Sequence, residues 1–408
     1  MRPSPAPTAA PPRSLRICRV ATIPFVVALH MRPQLEAAVR AGHRVDVVCS
    51  DGPEAVRIRQ MRGVRLFVMP IYRRISPLRD LVSLARLITH FRRERYDIVH
   101  SMTPKAGLLA ALAALLAGVP CRLHHFTGQP WVGMRGLAGF LARASDWLIV
   151  RLNTACYADS ASQAAFLESR KIAPRGSIRV LGDGSFSGVD LTRFDPERLR
   201  SERDSVRAEL GIPSNALLIG YVGRLTPEKG LSELLQAQAT LRSDFDPWIL
   251  MAGPYHPDIE PLPAQVLSAL ERGEKLRWIG YTEVPERYMA ACDIICLPSY
   301  REGFPLVMIE AAALGLPAVA TRIVGCVDAV EHGVTGLLVE PKDAHDLARG
   351  LGQLCADAKL RADLGRAGRE RAIAHFSAQR VNGLLLEEYE RHCSDRRTAA
   401  QSGRSETG

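Results

Sequence analysis

Short runs that are apolar throughout alternate with longer stretches of helical period, and the alternation occurs twice along the chain. In the first half the strand-like runs fall at 17–23, 45–49, 64–69, 98–100, 121–126 and 156–158, separated by helical stretches at 32–41, 77–95, 106–116, 136–152 and 162–169. Strands without polar alternation belong to a parallel sheet covered on both faces, and the intervening helices supply the crossovers. The pattern lapses between Gly182 and about Pro213, in GDGSFSGVDLTRFDP and a charged helix at 197–210. It resumes with strands at 217–222, 248–252, 276–279, 293–297, 318–320 and 336–339. The second set of helices falls at 231–241, 263–272, 285–291, after Leu297, and at 328–331, 344–355, 358–374 and 378–392.

The expected fold class is therefore α/β, with two Rossmann-like, doubly wound domains. A length of 408 residues, more than one core usually supports, agrees with two. The expected division is a disordered tail at 1–14, a first domain at 15–190, a linker at 191–213, a second domain at 214–375, a terminal helix at 376–393 and a polar, disordered tail at 394–408. In such sheets ligands bind outside the carboxyl ends of the strands, so a ligand site is expected in a cleft between the domains.

A hydrophobic fraction of 47% with 24% charged residues is ordinary globular chemistry. The net charge of +10 calls for a polyanionic partner. Arg73, Arg74, Arg79, Arg86, Arg92, Arg93 and Arg95 lack the interleaved aromatics of a base-stacking surface, so a phosphate ligand or an anionic membrane is expected, and nucleic acid is not. Helix 77–95 sets Leu78, Leu81, Val82, Leu84, Ala85, Leu87 and Ile88 against arginines, which fits either core packing with a solvated basic face or contact with anionic lipid. Nine unpaired-looking cysteines, Cys292 and Cys296 among them, read as buried thiols of a reducing compartment. The first fourteen residues have no apolar core, and the longest apolar run, 106–119, falls short of the roughly 20 residues a spanning helix needs. A cytoplasmic protein is expected, peripheral at most to the inner face of the plasma membrane.

Candidate chemistry concentrates in PSYREGFPLVMIEAAALGLP, 298–317, where Glu302 and Glu310 stand on either side of a Gly-Phe-Pro turn. Pro305 suits a first helical turn, leaving the amides of Gly303, Phe304 and Leu306 at a helix N-terminus that attracts anions. At about 1.5 Å per residue Glu310 lies roughly 6 to 8 Å along that helix, near the offset between a diphosphate and its ribose. Taken alone, the two carboxylates read equally well as a helix-dipole partner and a solvated residue. A second element, Gly223 to Gly230, ends a strand in glycine and then offers Arg224 and Lys229, a pair suited to a leaving diphosphate or simply solvated.

GRLTPEKG, RWIGYTEVPERYMAACDIICLPSYREGFPLVMIEAAALGLPAVAT and GVTGLLVEP, together with HSMTPKAG, HHFTGQPW and GDGSFSGVDLTRF, resemble the retaining GT-B glycosyltransferases, in particular bacterial capsular, O-antigen and exopolysaccharide members. The resemblance spans 17–389, and the E-x7-E spacing of Glu302 and Glu310 is its most specific mark. It implies a nucleoside-diphosphate sugar donor on the second domain, an acceptor on the first, and retention with neither a cofactor nor a catalytic metal. By the same resemblance Arg224 and Lys229 hold the diphosphate, Glu302 meets the donor sugar and Glu310 the ribose. Gly223 and the turn from Gly303 to Leu306 line the phosphate, and Gly280 and Tyr281 pack on the base. His125 is the catalytic histidine, with His124 the alternative since a strand alternates faces; either also reads as a structural histidine. Lys105, His124 and Thr127 stand on the acceptor side, Lys105 reading equally as a surface lysine. One departure is Ile23-Pro24-Phe25-Val26-Val27, where relatives carry a Gly-Gly turn.

The implied reaction moves a sugar, of N-acetylhexosamine type or similar, onto a hydroxyl of a lipid-linked glycan by front-face attack, in bacterial surface polysaccharide synthesis. Two alternatives share the fold: a sugar-nucleotide epimerase, which needs a further acid/base carboxylate pair, and a non-catalytic sugar- or nucleotide-binding scaffold, which does not need Arg224, Lys229, Glu302 and Glu310 intact.

Overall fold

A computed structural model describes residues 14–72 and 76–405, so Arg73, Arg74 and nearly all of the expected tail at 1–14 lie outside the described residues, as does the end of the tail expected at 394–408. Seven strands form one sheet: β1 (Arg16–Val20), β2 (Arg44–Cys49), β3 (Val64–Val68), β4 (Ile98–Met102), β5 (Cys121–Phe126), β6 (Ala155–Ala158) and β7 (Ile178–Val180), in the order β3-β2-β1-β4-β5-β6-β7. Six form a second: β8 (Leu218–Val222), β9 (Trp248–Ala252), β10 (Leu276–Trp278), β11 (Ile294–Leu297), β12 (Ala318–Thr321) and β13 (Gly336–Val339), in the order β10-β9-β8-β11-β12-β13. β1 pairs with β2 and β4, and β8 with β9 and β11, which pairs in turn with β12, all in parallel, as strands buried along their whole length require. β7 was not anticipated: three residues with one exposed carry too little periodicity to be read.

The chain gathers into two compact units, one holding the chain to His124, Ala144–Ala155 and everything from Leu386, the other 125–143 and Cys156–Leu385. In the first, β1 to β4 pack against the helix Pro104–Leu116, whose Ala106, Ala110, Ala113 and Ala114 are buried with Val20, Leu87 and Phe91. The apolar run is thus a core helix, and among the described residues no helix is long and apolar enough to cross a membrane. The 24–27 stretch is helical rather than a loop, Pro24–Val26 running into a π-turn at Val27–Met31; Pro24 sits at a first-turn position, where its missing N–H costs nothing. The broad stripe of Pro77–Glu94 is too wide for one face and divides. Ser83, Leu87 and Phe91 turn inward, Ser83 donating to the Pro70 carbonyl at 2.6 Å, while Leu78, Leu81 and Val82 face solvent.

In the second unit, Arg207 of the helix Glu202–Glu209 is fully buried yet satisfied, donating to Asp293 at 2.9 Å and to the carbonyls of Ala291, Pro213, Ser214 and Ala216. A buried guanidinium is tolerated only with such partners, and here it fixes the helix beside the start of β11. The strand order reverses between β8 and β11, whose Ile219 and Gly220 pair with Ile294 and Ile295. A crevice at the carboxyl ends of those two strands is where an open parallel sheet binds ligand. The last helix continues from Ala378 to Ser405, past the expected end at 393. Eight cysteines are buried and Cys393 is partly so.

Candidate functional site

The reversal point places the segments after β8 and β11 side by side. Lys229, in a one-turn helix at Pro227–Lys229, reaches Glu302 with Nζ 2.5 Å from Oε1, both side chains 14% exposed. Two braces hold these segments together: Arg301 donates to Glu228 at 2.7 Å, and the Tyr300 hydroxyl to Glu233 at 2.6 Å. Arg224 is exposed and pairs with Glu260 at 2.8 Å. Both cations expected to hold phosphate therefore already have a carboxylate partner. Thr226 Oγ1 and Ser299 Oγ, at the ends of the same two strands, are buried and have no hydrogen-bond partner among the described residues. Buried hydroxyls of that kind are rare.

Gly223 follows β8, its N–H donating to the Ala252 carbonyl at 2.9 Å. Gly253 after β9 is locked against it: at φ +149°, a Cβ there would lie 1.8 Å from the Gly223 carbonyl oxygen. The Gly253 N–H donates to the Gly280 carbonyl at 2.7 Å, and Tyr281 beside it is 47% exposed. The segments after β8, β9 and β10 thus form one hydrogen-bonded rim.

Gly303 has a reason other than the one its sequence position suggested. A Cβ there would lie 2.5 Å from the Thr127 carbonyl oxygen, so the glycine is required by the chain crossing it, and Ser160 Oγ donates to the Gly303 carbonyl at 3.2 Å. Thr127 is accordingly brought to this turn by its backbone. Phe304 points into the core, 5.4 Å from the Phe376 ring. Pro305 caps the helix Leu306–Ala313 with φ −78° and ψ 99° rather than entering its first turn, because ψ is extended there, and Leu306 is the first helical residue. Glu310 is partly covered on that helix. Burial pushes its carboxyl up to about 7, Arg193 pulls it down and Glu286 raises it further. Arg193 comes from the segment between the sheets, and it also donates to Glu286 at 2.8 Å and to the Glu283 carbonyl.

His125 is buried at the end of β5 with Nε2 2.9 Å from Asp159 Oδ1, its ring stacked over Tyr157 and edge-on to Phe186. Burial raises the Asp159 carboxyl, and His125 draws it back. His124 and Lys105 belong to the first unit. His124 is buried with Nδ1 2.9 Å from Ser101 Oγ, and Lys105 pairs with Asp80 at 2.7 Å. Asp159, Arg193, Glu260, Tyr300 and Arg301 escaped sequence reasoning, since each is an ordinary loop residue until the fold supplies its partner. Only the Asp-Ser that follows β6 offered any signal.

The chain matches two family models, one described as glycosyl transferase 4-like domain over residues 19–184 and one as glycosyl transferases group 1 over 202–371. It is 29% identical over 379 residues to the capsular polysaccharide biosynthesis glycosyltransferase CapM of Staphylococcus aureus, covering 93% of this chain and 96% of that one. It is 28% identical over 313 residues to the UDP-Gal:alpha-D-GlcNAc-diphosphoundecaprenol alpha-1,3-galactosyltransferase of Escherichia coli, covering 73% and 76%. Its fold is that of HepE from Anabaena, solved with UDP and glucose, at a TM-score of 0.76 and 22% identity over 92% of this chain and 99% of that one. The two parallel sheets are the GT-B architecture.

Proposed function

Because the chain belongs to the group 1 glycosyltransferases, we propose that it transfers a sugar, with retention and without a catalytic metal, from a nucleoside diphosphate to a hydroxyl of a lipid-linked glycan in bacterial surface polysaccharide synthesis. The Lys229–Glu302 pair, at the point where the strand order reverses, carries this reading. A leaving diphosphate develops negative charge, and preorganised cations there contribute more to catalysis than any other single effect. Lys229 and Arg224 supply them, and Glu302, released from Lys229, turns to the donor sugar. Glu310 accepts from the ribose hydroxyls, the phosphates rest on the amides around Gly303, and Gly280 with Tyr281 flanks the base. The departing phosphate oxygen takes the proton of the attacking hydroxyl as the new glycosidic bond forms on the face the diphosphate leaves. His125, held by Asp159, faces the sugar; Thr127 and Lys105 serve the acceptor side.

The Escherichia coli relative, which by its name galactosylates a GlcNAc-diphosphoundecaprenol, supports a lipid-borne acceptor, and with it a site of action at the inner face of the plasma membrane; the sugar moved is proposed to be of N-acetylhexosamine type or similar. The net charge of +10 suits an anionic surface there. A panel of nucleoside-diphosphate sugars read by thermal melting tests the proposal, since a ligand that binds only the native state raises Tm by mass action. A rise with one sugar nucleotide and its transfer to a lipid-diphosphate glycan support it. Release of an epimerised sugar nucleotide without acceptor, or no rise with any donor, overturns it.

A further inference from the structure

The helix Gly136–Leu152 is amphipathic with its apolar side outward. Leu137, Phe140, Leu141, Trp147 and Leu148 follow the three- and four-residue spacing that keeps side chains on one helical face. That face is open to solvent: their exposures are 72%, 67%, 46%, 40% and 40%. Asp146, the helix's one acidic residue, is buried, as is Ile149. Apolar residues scattered over a surface are ordinary, whereas five on a single face mark an interaction site. The preceding turn adds Val132 and Met134, 50% and 42% exposed.

The exposed charged residues of this helix and of the turn before it are cationic. Arg135, Arg143 and Arg151 are exposed, and the Arg151 guanidinium lies 3.5 Å from the centre of the Trp147 ring. An indole with a guanidinium on it, at the margin of a leucine and phenylalanine stripe, suits the boundary between lipid headgroups and acyl chains. There the apolar body is buried while the cation reaches phosphate.

We propose that the Gly136–Leu152 face docks on an anionic lipid bilayer, lying in its plane with Leu137, Phe140, Leu141 and Leu148 below the headgroups and Arg135, Arg143 and Arg151 on the lipid phosphates. Charge selects lipid over a second copy of the chain: the cationic margin would repel itself across a symmetric contact, and the net charge of +10 draws the protein to an anionic surface. The docking helix is thus a different one from the basic 77–95 helix that the sequence offered for lipid contact. The inference does not depend on which sugar is moved; it brings the protein to the surface where a lipid-linked acceptor resides.

The test is co-sedimentation of the full chain with vesicles of phosphatidylglycerol and phosphatidylethanolamine, against vesicles of phosphatidylcholine alone. The wild type should partition to the anionic vesicles, and Leu137→Glu/Phe140→Glu should bind them about tenfold more weakly, with unchanged circular dichroism and Tm. Independently, the fluorescence that Trp147→Phe removes should shift to the blue when anionic vesicles are added. No binding by the wild type, equal binding by wild type and double variant, or a wild-type dimer that the double variant dissociates would each overturn the proposal.

Discussion

Lys229 Nζ stands 2.5 Å from Glu302 Oε1, with neither side chain more than 14% exposed. On the proposed assignment of Lys229 to the donor diphosphate, that diphosphate must compete with Glu302 for the ammonium group. Glu302→Gln should strengthen binding of free UDP by up to about tenfold, since a neutral amide competes poorly. The same change should lower kcat by about 10²-fold if Glu302 meets the donor sugar as proposed. Titration calorimetry and initial rates on one preparation read both effects, and a variant with weaker UDP binding would contradict the exchange of partners.

Arg224 and Glu260 form a second such pair, in a more exposed setting. An exposed ion pair contributes only about 0 to 1 kcal/mol, so Glu260→Gln should leave Tm nearly unchanged. Freed from its partner, Arg224 should lower the donor KM by about two- to fivefold. A raised KM would place Glu260 on the donor instead.

Burial pushes the Glu310 carboxyl up to about 7, and its proposed role at the ribose then predicts a pH limb for the reaction. If Glu310 binds the ribose as proposed, only the ionised group would accept from both hydroxyls, so kcat/KM should fall as pH drops through about 7, and Glu310→Gln should lose that limb along with most donor affinity. For stability the sign is opposite to that of a salt-bridged acid. The folded value lies above the ordinary 4.5, so the native state holds this proton more tightly, and the stabilisation present below 4.5 is lost as pH rises through about 7. Glu310→Gln should then be the more stable protein above pH 7, by at most about 3 kcal/mol, and indistinguishable below 4.5. Melting curves across that range check it.

Gly303→Ala should be costly despite adding one methyl group. Its Cβ would stand 2.5 Å from the Thr127 carbonyl oxygen, backbone that cannot step aside. A loss of about 2 kcal/mol is expected, seen as a lower Tm even without ligand. A normal Tm would mean that the crossing chain is free to move.

The two parallel sheets were legible because their strands are buried along their length and so read as unbroken apolar runs. Ile178–Val180, short of a full period, was missed, and the stripe of Pro77–Glu94, a helix expected at nearly these bounds, was too wide to show which residues turn inward, since one dimension of pattern does not say which neighbour a face meets. Lys229 and Glu302 were each legible as candidates, yet their contact joins positions 73 residues apart and depends on the strand order. The link of Arg193 to Glu286, across 93 residues, had no local signal at all. Burial in the folded chain, with Arg193 and Glu286 as lesser influences, sets the protonation of Glu310, which spacing alone could not.

The kcat of Lys229→Ala, measured with the sugar nucleotide that gives the largest thermal shift and at saturating concentration, tests the proposed role of the Lys229–Glu302 pair most directly. Loss of the cation that receives the leaving diphosphate should lower kcat by about 10²- to 10³-fold, in a protein that melts as a single folded species. A Lys229→Ala enzyme with near-normal kcat would contradict it.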